Sequence, residues 1–563
     1  MFMNKFPNYD DMAINSFGAS LKLGRWFLWV LGAIAYHLDF VYSIPWINGF
    51  LTVICIATAA GMLVDMLHVK SKLCCALIGA CLVVFPSWTV DTIEMKPQDG
   101  YVYQKGIEPF VEYMAVQKDG RFQYANVWKN QSEDVHPPLY YAILHTICSF
   151  FPMSISRWYA GSINIVFLLM TLIVSTNLIF HLTRDRKISI IFSLFFATSS
   201  FMLNTATFLR MYSMAMFWCT LYTFLFIKNV NEGFNKKFLI YIYISSVLGA
   251  LTHYYVIVYL VLISVVYGIL KLVKKEYRQT LSFCLAMLMA AFTSVLIFPA
   301  MIDHLFISDR GKQSLGNAVI GMGEYMEKLK SYIQTVFWGI LGNVTKIIMV
   351  VLMIGVLLVI LKKRKIIKRD NLFSYILLLC PSIAYVLMIS KVSVYITDRY
   401  MYPVYAIIIV NIFVGIYYVV SEFACKKWQT IIIAGLICLI FNIDGFKNIF
   451  IPYMNTINER EIQEEQYFTN RNCVYVYDPY ELWKIQAEYL KISKCDKTMF
   501  ILDSEYETFI KSELADLDEL IVYISNTLDT DFLLLSMETI TPNTNECEVI
   551  SDDGYASIYY LHK

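Results

Sequence analysis

Asp134-Val135-His136-Pro137-Pro138-Leu139-Tyr140-Tyr141 closes a long polar loop in a chain that is otherwise strongly apolar. It sets an acid, an imidazole and two prolines beside runs long enough to cross a hydrocarbon core. Of the 563 residues, 58% are hydrophobic and 16% charged, against about 25% charged in an ordinary soluble domain. The chain therefore reads as a polytopic α-helical membrane protein. Its net charge of +1 names no partner, because the signs are segregated by loop. No nucleic-acid partner is expected. Residues 1–21 lack the positive start, apolar core and small-residue cleavage site of a signal peptide, so the first spans are expected to act as uncleaved signals.

Working outward from that loop, the apolar runs predict spans near 26–44, 47–66, 73–90, 157–182, 187–206, 211–228, 238–252, 255–272, 279–301, 344–361, 372–389, 401–420 and 428–447. Basic clusters test the placement. Lys22/Arg25, Lys70/Lys72, Arg184/Arg186/Lys187, Lys228/Lys236/Lys237, Lys271/Lys274/Lys275/Arg278, Lys362–Lys365 and Lys426/Lys427 all fall on one side if about thirteen spans start from a cytoplasmic N-terminus. That agreement predicts a multi-pass plasma-membrane protein. It also makes 139–151 an interfacial helix, since thirteen helical residues cover only about 20 Å and a crossing there would invert every later cluster.

The loop 91–136 is then external, and its many aromatics predict that it folds onto the membrane surface rather than hanging free. A second external segment, 303–327, is polar and contains Gly311, Gly316, Gly321 and Gly323, so it reads as a connector or a lid. After residue 448 the composition changes. Runs 473–477, 499–502 and 520–524 look like strands, with helical stretches at 480–491 and 505–515 between them. The expected organisation is an N-terminal segment with two additional spans (1–72), a transmembrane catalytic module (73–448) and a small extracytoplasmic α/β domain (449–563). Ten of the thirteen Cys lie in or beside apolar runs; Cys473, Cys495 and Cys547 lie in the tail, with no Cys-x-x-Cys spacing and room for at most one bridge.

Polar residues gather at the external ends of the spans. Asp91 and Glu94 follow the third, Asp134 and His136 end the first loop, and Arg210 and Tyr212 separate the fifth and sixth. His253, Tyr254 and Tyr255 separate the seventh and eighth, and Asp398, Arg399 and Tyr400 precede the twelfth. Each has an ordinary reading as well. Asp91 can simply end a helix, His136 can be a satisfied interfacial histidine, the arginines can snorkel to headgroups, and the tyrosines fit an aromatic belt. Together, acids, histidines and two arginines at one boundary can activate a hydroxyl and hold a phosphate.

Asp134–Tyr141 resembles the Asp-x-His-Pro-Pro-Leu-Tyr-Tyr pattern of polyprenol-dependent glycosyltransferases of the GT-C fold, the protein O-mannosyltransferase and aminoarabinose transferase group (glycosyltransferase family 39-like). Leu209-Arg210-Met211-Tyr212-Ser213 is similar to that group's Ala-Arg-x-Tyr segment, His253-Tyr254-Tyr255 to its His-Tyr-aromatic segment, and Asp398-Arg399-Tyr400-Met401-Tyr402-Pro403 to its Arg-Tyr-x-x-Pro segment. The sequence departs where the group carries adjacent Asp-Glu, having Asp91-Thr92-Ile93-Glu94 instead, which leaves two acids competing for one role. Two spans precede the helix that normally comes first, and the tail is not covered. The resemblance implies a GT-C-like fold and a sugar donor on polyprenyl phosphate. It implies an extracytoplasmic acceptor and Asp91 as base, with Glu94 its competitor. Arg210 and Arg399 would bind the donor phosphate, and Asp134, His136, Tyr140, Tyr212 and Tyr400 would position the donor and the loop. It also raises a divalent metal ion, with His253 and an acidic residue as candidate ligands.

Two other classes compete. A transporter or lipid flippase predicts ionisable residues deep within spans, but the span centres here are largely uncharged, with Asp39 and Asp65 near ends. A scaffolding protein does not explain the spaced motifs.

Overall fold

The computed structural model describes residues 115–341 (save 155), 369–448 (save 425–426) and, within 466–563, the strands and the turns beside them. The expected spans at 26–44, 47–66, 73–90 and 344–361, the acids Asp91 and Glu94, and the expected helical stretches at 480–491 and 505–515 lie outside the described residues. The chain divides into two compact units. Among the described residues, those in 124–143 and 161–448 belong to the first, and those in 115–123, 144–160 and 466–563 to the second.

The first unit is helical, and the helices below lie in it except for the later part of α2 and the start of α3. In chain order run α1 (Tyr124–Glu133), α2 (Leu139–Phe150), α3 (Arg157–Thr183), α4 (Arg186–Ala197), α5 (Ser200–Thr207), α6 (Tyr212–Glu232), α7 (Lys236–Ala250), α8 (Tyr254–Val273) and α9 (Tyr277–Ile297). They are followed by α10 (Asp309–Asn317), α11 (Met322–Leu341), α12 (Arg369–Val392), α13 (Tyr402–Phe423) and α14 (Lys427–Asn448). Short polar residues start several of them by accepting an otherwise unpaired amide. Asp185 takes the Lys187 amide (2.9 Å), Asn235 the Phe238 amide (2.9 Å) and Ser308 the Gly311 amide (3.1 Å). The core forms around α6, which packs against α7, α8, α12 and α13. Every residue from Tyr212 to Thr220 is buried there.

Five helices among the described residues are long and apolar enough to cross a membrane: Trp158–Thr183, Tyr254–Val273, Tyr277–Ile297, Phe373–Val392 and Asp398–Ser421. On α9, Leu281, Leu285, Leu288, Phe292 and Leu296 form an exposed apolar stripe, the composition expected of a face turned to lipid tails. The remaining expected spans differ for local reasons. The run 187–206 is two helices, α4 and α5, not one. At the break, Thr198 Oγ1 donates to Leu194 O and Ser199 Oγ to Phe196 O, so side chains compete for the helix's own carbonyls. Helix α7 has 15 residues, about 22 Å of rise. Helix α6 carries Lys228, Asn229, Asn231 and Glu232 in its last turns. The α2 helix has 12 residues, about 18 Å, too short to span.

The segment 303–327 is not an open connector. A π-helical turn, Asp303–Ile307, leads into α10, and α11 begins at Met322. Asn317 Nδ2 and Lys328 Nζ both donate to Ser393 O at 2.8 Å, and Tyr332 OH donates to Tyr395 O at 2.6 Å. These bonds fasten it to the stretch before Asp398. Gly311 is required by a close approach rather than by a turn, since a Cβ there would sit 2.7 Å from His304 O and 2.8 Å from Leu305 O.

The second unit carries a five-stranded sheet of order β2-β1-β3-β5-β4, with β1 Asn472–Tyr477, β2 Lys497–Leu502, β3 Glu519–Ser525, β4 Glu546–Asp552 and β5 Ala556–His562. Strands β1, β2 and β3 are parallel; β5 runs antiparallel between β3 and β4. Both faces are covered. Cys473, Tyr475, Phe500, Ile521 and Tyr523 pack on one side, and Val474, Val476, Met499, Val522 and Ile524 on the other. Continuous apolar strands follow from burial on both faces.

Candidate active site

The loop end that carries Asp134 and His136 is pinned at three points within the first unit. Trp128 Nε1 on α1 donates to Ile297 O at 3.0 Å, and the Leu139 amide donates to Leu251 O at 3.0 Å. His304 bridges the third point: its Nε2 lies 3.1 Å from Ser132 O and its Nδ1 2.6 Å from Tyr254 OH. A carbonyl can only accept, so Nε2 carries the proton and Nδ1 receives the tyrosine hydroxyl in the neutral ring. Between these anchors, Pro137 and Pro138 restrict the backbone.

His136 is buried, and its Nδ1 lies 2.8 Å from Asp134 Oδ2. The carboxylate accepts, so Nδ1 carries a proton. The His136 ring stands 6.2 Å from that of His253, which comes from the loop between α7 and α8. His253 is buried and caps α8: its Nδ1 accepts the Tyr255 amide at 3.0 Å. Burial, then His136, Arg399 and Arg210, hold its imidazole well below the ordinary histidine range. A neutral His253 with Nδ1 so occupied can only donate, through Nε2.

Aromatic rings complete the cluster. Tyr212 lies 5.1 Å from His253 and 5.9 Å from Tyr402, and Tyr255 lies edge-on to Tyr400 at 4.9 Å. Tyr402 OH donates to Asp398 Oδ2 at 2.8 Å. The Arg399 guanidinium sits 5.9 Å from the Phe208 ring centre and 5.7 Å from that of Tyr400. Planar guanidinium groups are suited to such faces while keeping their fork for an anion. Thus His136, Tyr212, His253, Arg399 and Tyr400 are brought into one cluster, with Arg210 close enough for its charge to act on His253. Tyr140 is buried on α2 with its ring against Tyr141.

Asn164 is a contributor that the spacing of motifs did not reveal. It is fully buried on α3, where its Nδ2 lies 2.6 Å from Phe208 O and 3.2 Å from Ala206 O, and its Oδ1 accepts from Ser213 Oγ at 2.8 Å. One side chain thereby fixes the elbow between α5 and α6 that carries Arg210 and Tyr212. The amide of Arg210 folds back onto Phe208 O at 2.7 Å. A lone Asn in an apolar run is the sequence sign of such a role, because burying an amide demands partners.

The metal expectation does not fit the described residues. For Nε2 of His253 to bind a cation, Nδ1 would have to carry the proton, yet Nδ1 accepts the Tyr255 amide. Two guanidinium charges also act on the ring. Among the described residues no group of three or more His, Cys, Asp or Glu could hold a metal ion.

Residues 1–93, a stretch that includes Asp91, match the model of the glucosyl transferase GtrII family. No curated protein matches the chain. Among solved structures, the chain is similar to ArnT from Cupriavidus metallidurans bound to undecaprenyl phosphate, with 10% identity, 86% of this chain and 97% of that chain covered, and a TM-score of 0.46. It is also similar to the archaeal oligosaccharyltransferase AglB from Archaeoglobus fulgidus in complex with an inhibitory peptide and a dolichol-phosphate, with 11% identity, 80% and 69% of the two chains covered, and a TM-score of 0.40.

Proposed function

We propose that the chain is a membrane glycosyltransferase that moves a sugar from a polyprenyl-phosphate donor to an extracytoplasmic acceptor by inverting displacement. The observation that carries this reading is the cluster itself: four sequence segments far apart in the chain bring His136, Tyr212, His253 and Arg399 together. The match of residues 1–93 to a glucosyl transferase family model agrees with it. In this reading about thirteen spans cross the plasma membrane, the N-terminus is cytoplasmic, 73–448 forms the catalytic module and 449–563 lies outside.

The chemistry follows from the groups present. An acceptor hydroxyl is a poor nucleophile at neutral pH. Asp91, or Glu94 in its place, takes the hydroxyl proton as the oxygen bonds to the anomeric carbon. The bond from that carbon to the phosphate oxygen breaks on the opposite side, which inverts the centre. Arg399 and Arg210 hold the departing polyprenyl phosphate and offset its developing charge. The neutral His253 donates from Nε2 to a donor oxygen, and Asp134 fixes the ring of His136 beside it.

The test is mass analysis of lipid-linked sugars in cells with and without the gene. One polyprenyl-phosphate sugar should accumulate when the gene is lost, together with loss of one surface glycan. An unchanged donor pool contradicts the reading. A flippase without transfer activity would leave purified protein unable to release polyprenyl phosphate from its donor.

A further inference from the structure

Cys473 opens the buried part of β1, and Cys495 lies just before β2. Both are buried in one apolar cluster with Phe468, Tyr475, Phe500 and Tyr523. The backbones that carry them are tied together, with the Asp496 amide donating to Arg471 O at 2.9 Å and the Asn470 amide to Lys494 O at 3.2 Å. The two side chains are near enough to act on one another. Cys547, the third cysteine of the tail, is exposed on β4 and lies outside that buried cluster.

We infer that Cys473 and Cys495 are the site of a structural disulfide that closes the chain between β1 and β2. The inference rests on the proposed extracytoplasmic placement of the tail, because thiols stay reduced in a cytoplasm. The oxidant is an extracytoplasmic dithiol oxidase. One cysteine thiolate attacks a sulfur of the oxidase disulfide, and the second cysteine displaces the oxidase thiolate from the mixed disulfide. Two cysteine thiols become one disulfide, and the oxidase disulfide becomes two thiols. Burial raises the Cys473 thiol well above its ordinary range, so the exchange belongs to folding, before the cluster closes, and the finished bond is shielded from reductants. A disulfide is apolar and fits this core. Its benefit lies in shortening the unfolded chain across the segment between β1 and β2.

The experiment uses the full-length protein in intact cells. Thiols are trapped with trichloroacetic acid, blocked with a maleimide in detergent, and mapped by mass spectrometry after trypsin. The expected product is peptide 472–484 joined to peptide 495–497, with neither cysteine blocked. In parallel, a membrane-impermeant maleimide applied to living cells should label Cys547, and a Cys547→Ser variant should lose that label. Maleimide on both Cys473 and Cys495 while Cys547 is labelled from outside overturns the disulfide and leaves the placement standing. Maleimide on both with Cys547 labelled only after permeabilisation overturns the two together. A Cys495→Ala variant should turn Cys473 into a blockable thiol; if Cys473 stays unblocked, it is bonded elsewhere and the pairing is overturned.

Discussion

The imidazoles of His136 and His253 stand 6.2 Å apart, and their Nδ1 atoms are used in opposite senses. His136 donates a hydrogen bond from Nδ1 to Asp134, whereas His253 accepts the Tyr255 amide at Nδ1. His253, held neutral, is thereby left with Nε2 as a donor. A charged oxygen suits that proton better than a cation does.

Arg399 is the first test of the phosphate assignment. Arg399→Ala should weaken binding of a polyprenyl phosphate about tenfold to a hundredfold, the scale of one or two charge-assisted hydrogen bonds. Arg399→Lys should recover only part of it, since a point charge lacks the planar fork. Binding of polyprenyl phosphate to protein in detergent measures this directly. Undiminished affinity would return Arg399 to an ordinary headgroup contact.

Asn164 supports the elbow under Arg210 and Tyr212. Asn164→Leu removes the donor that serves Phe208 O and Ala206 O and strands the Ser213 hydroxyl. The expected loss is about 2–4 kcal/mol of stability, seen as a lower melting temperature in detergent. An unchanged melting temperature would mean that the elbow holds its shape without the amide.

The folded state should weaken in mild acid through His253. The unfolded chain takes up this proton near 6.5, whereas the folded protein takes it up only well below that. Under acid conditions the unfolded state binds more protons, so stability is level above pH 6.5 and falls as pH drops beneath it. Melting temperatures from pH 8 to pH 5 should show that fall in the wild type and less of it in His253→Gln. Equal slopes in both proteins would assign the acid sensitivity to other groups.

Gly311 lets α10 lie against the π-helical turn that carries His304. Gly311→Ala forces a methyl to within 2.7 Å of His304 O and 2.8 Å of Leu305 O. About 1–3 kcal/mol of destabilisation is expected from such overpacking. Thermal unfolding reads it, and a loss smaller than a few tenths of a kcal/mol would show that the turn gives way freely.

Much of this architecture is legible in the sequence, for identifiable reasons. Long apolar runs gave α3, α8, α9, α12 and α13, and continuous burial on both faces made β1, β2 and β3 readable as short apolar runs. The edge strand β4 was not, because Glu546, Cys547, Glu548 and Val549 are exposed or half-exposed and carry no apolar signature. The break after α4 was hidden because Thr198 and Ser199 act through backbone carbonyls that a hydropathy pattern does not register. The helices within the segment after Asp303 were not legible for a related reason. The segment's glycines suggest freedom, but Asn317, Lys328 and Tyr332 anchor it by bonds to carbonyls far along the chain. At the site, motif spacing identified His136, His253 and Arg399; it could not reveal Asn164, whose partners are main-chain atoms of another helix.

The most direct measurement supplies purified protein with the lipid extract of cells that lack the gene, together with cell-surface glycan from the same cells. Wild-type protein should convert one polyprenyl-phosphate sugar to free polyprenyl phosphate, and Asp91→Asn should slow that conversion by about 100- to 10,000-fold, the range of a lost general base. Full activity in Asp91→Asn with loss in Glu94→Gln would move the base to Glu94. A lipid-linked sugar pool left unchanged by the wild-type protein would contradict glycosyl transfer itself.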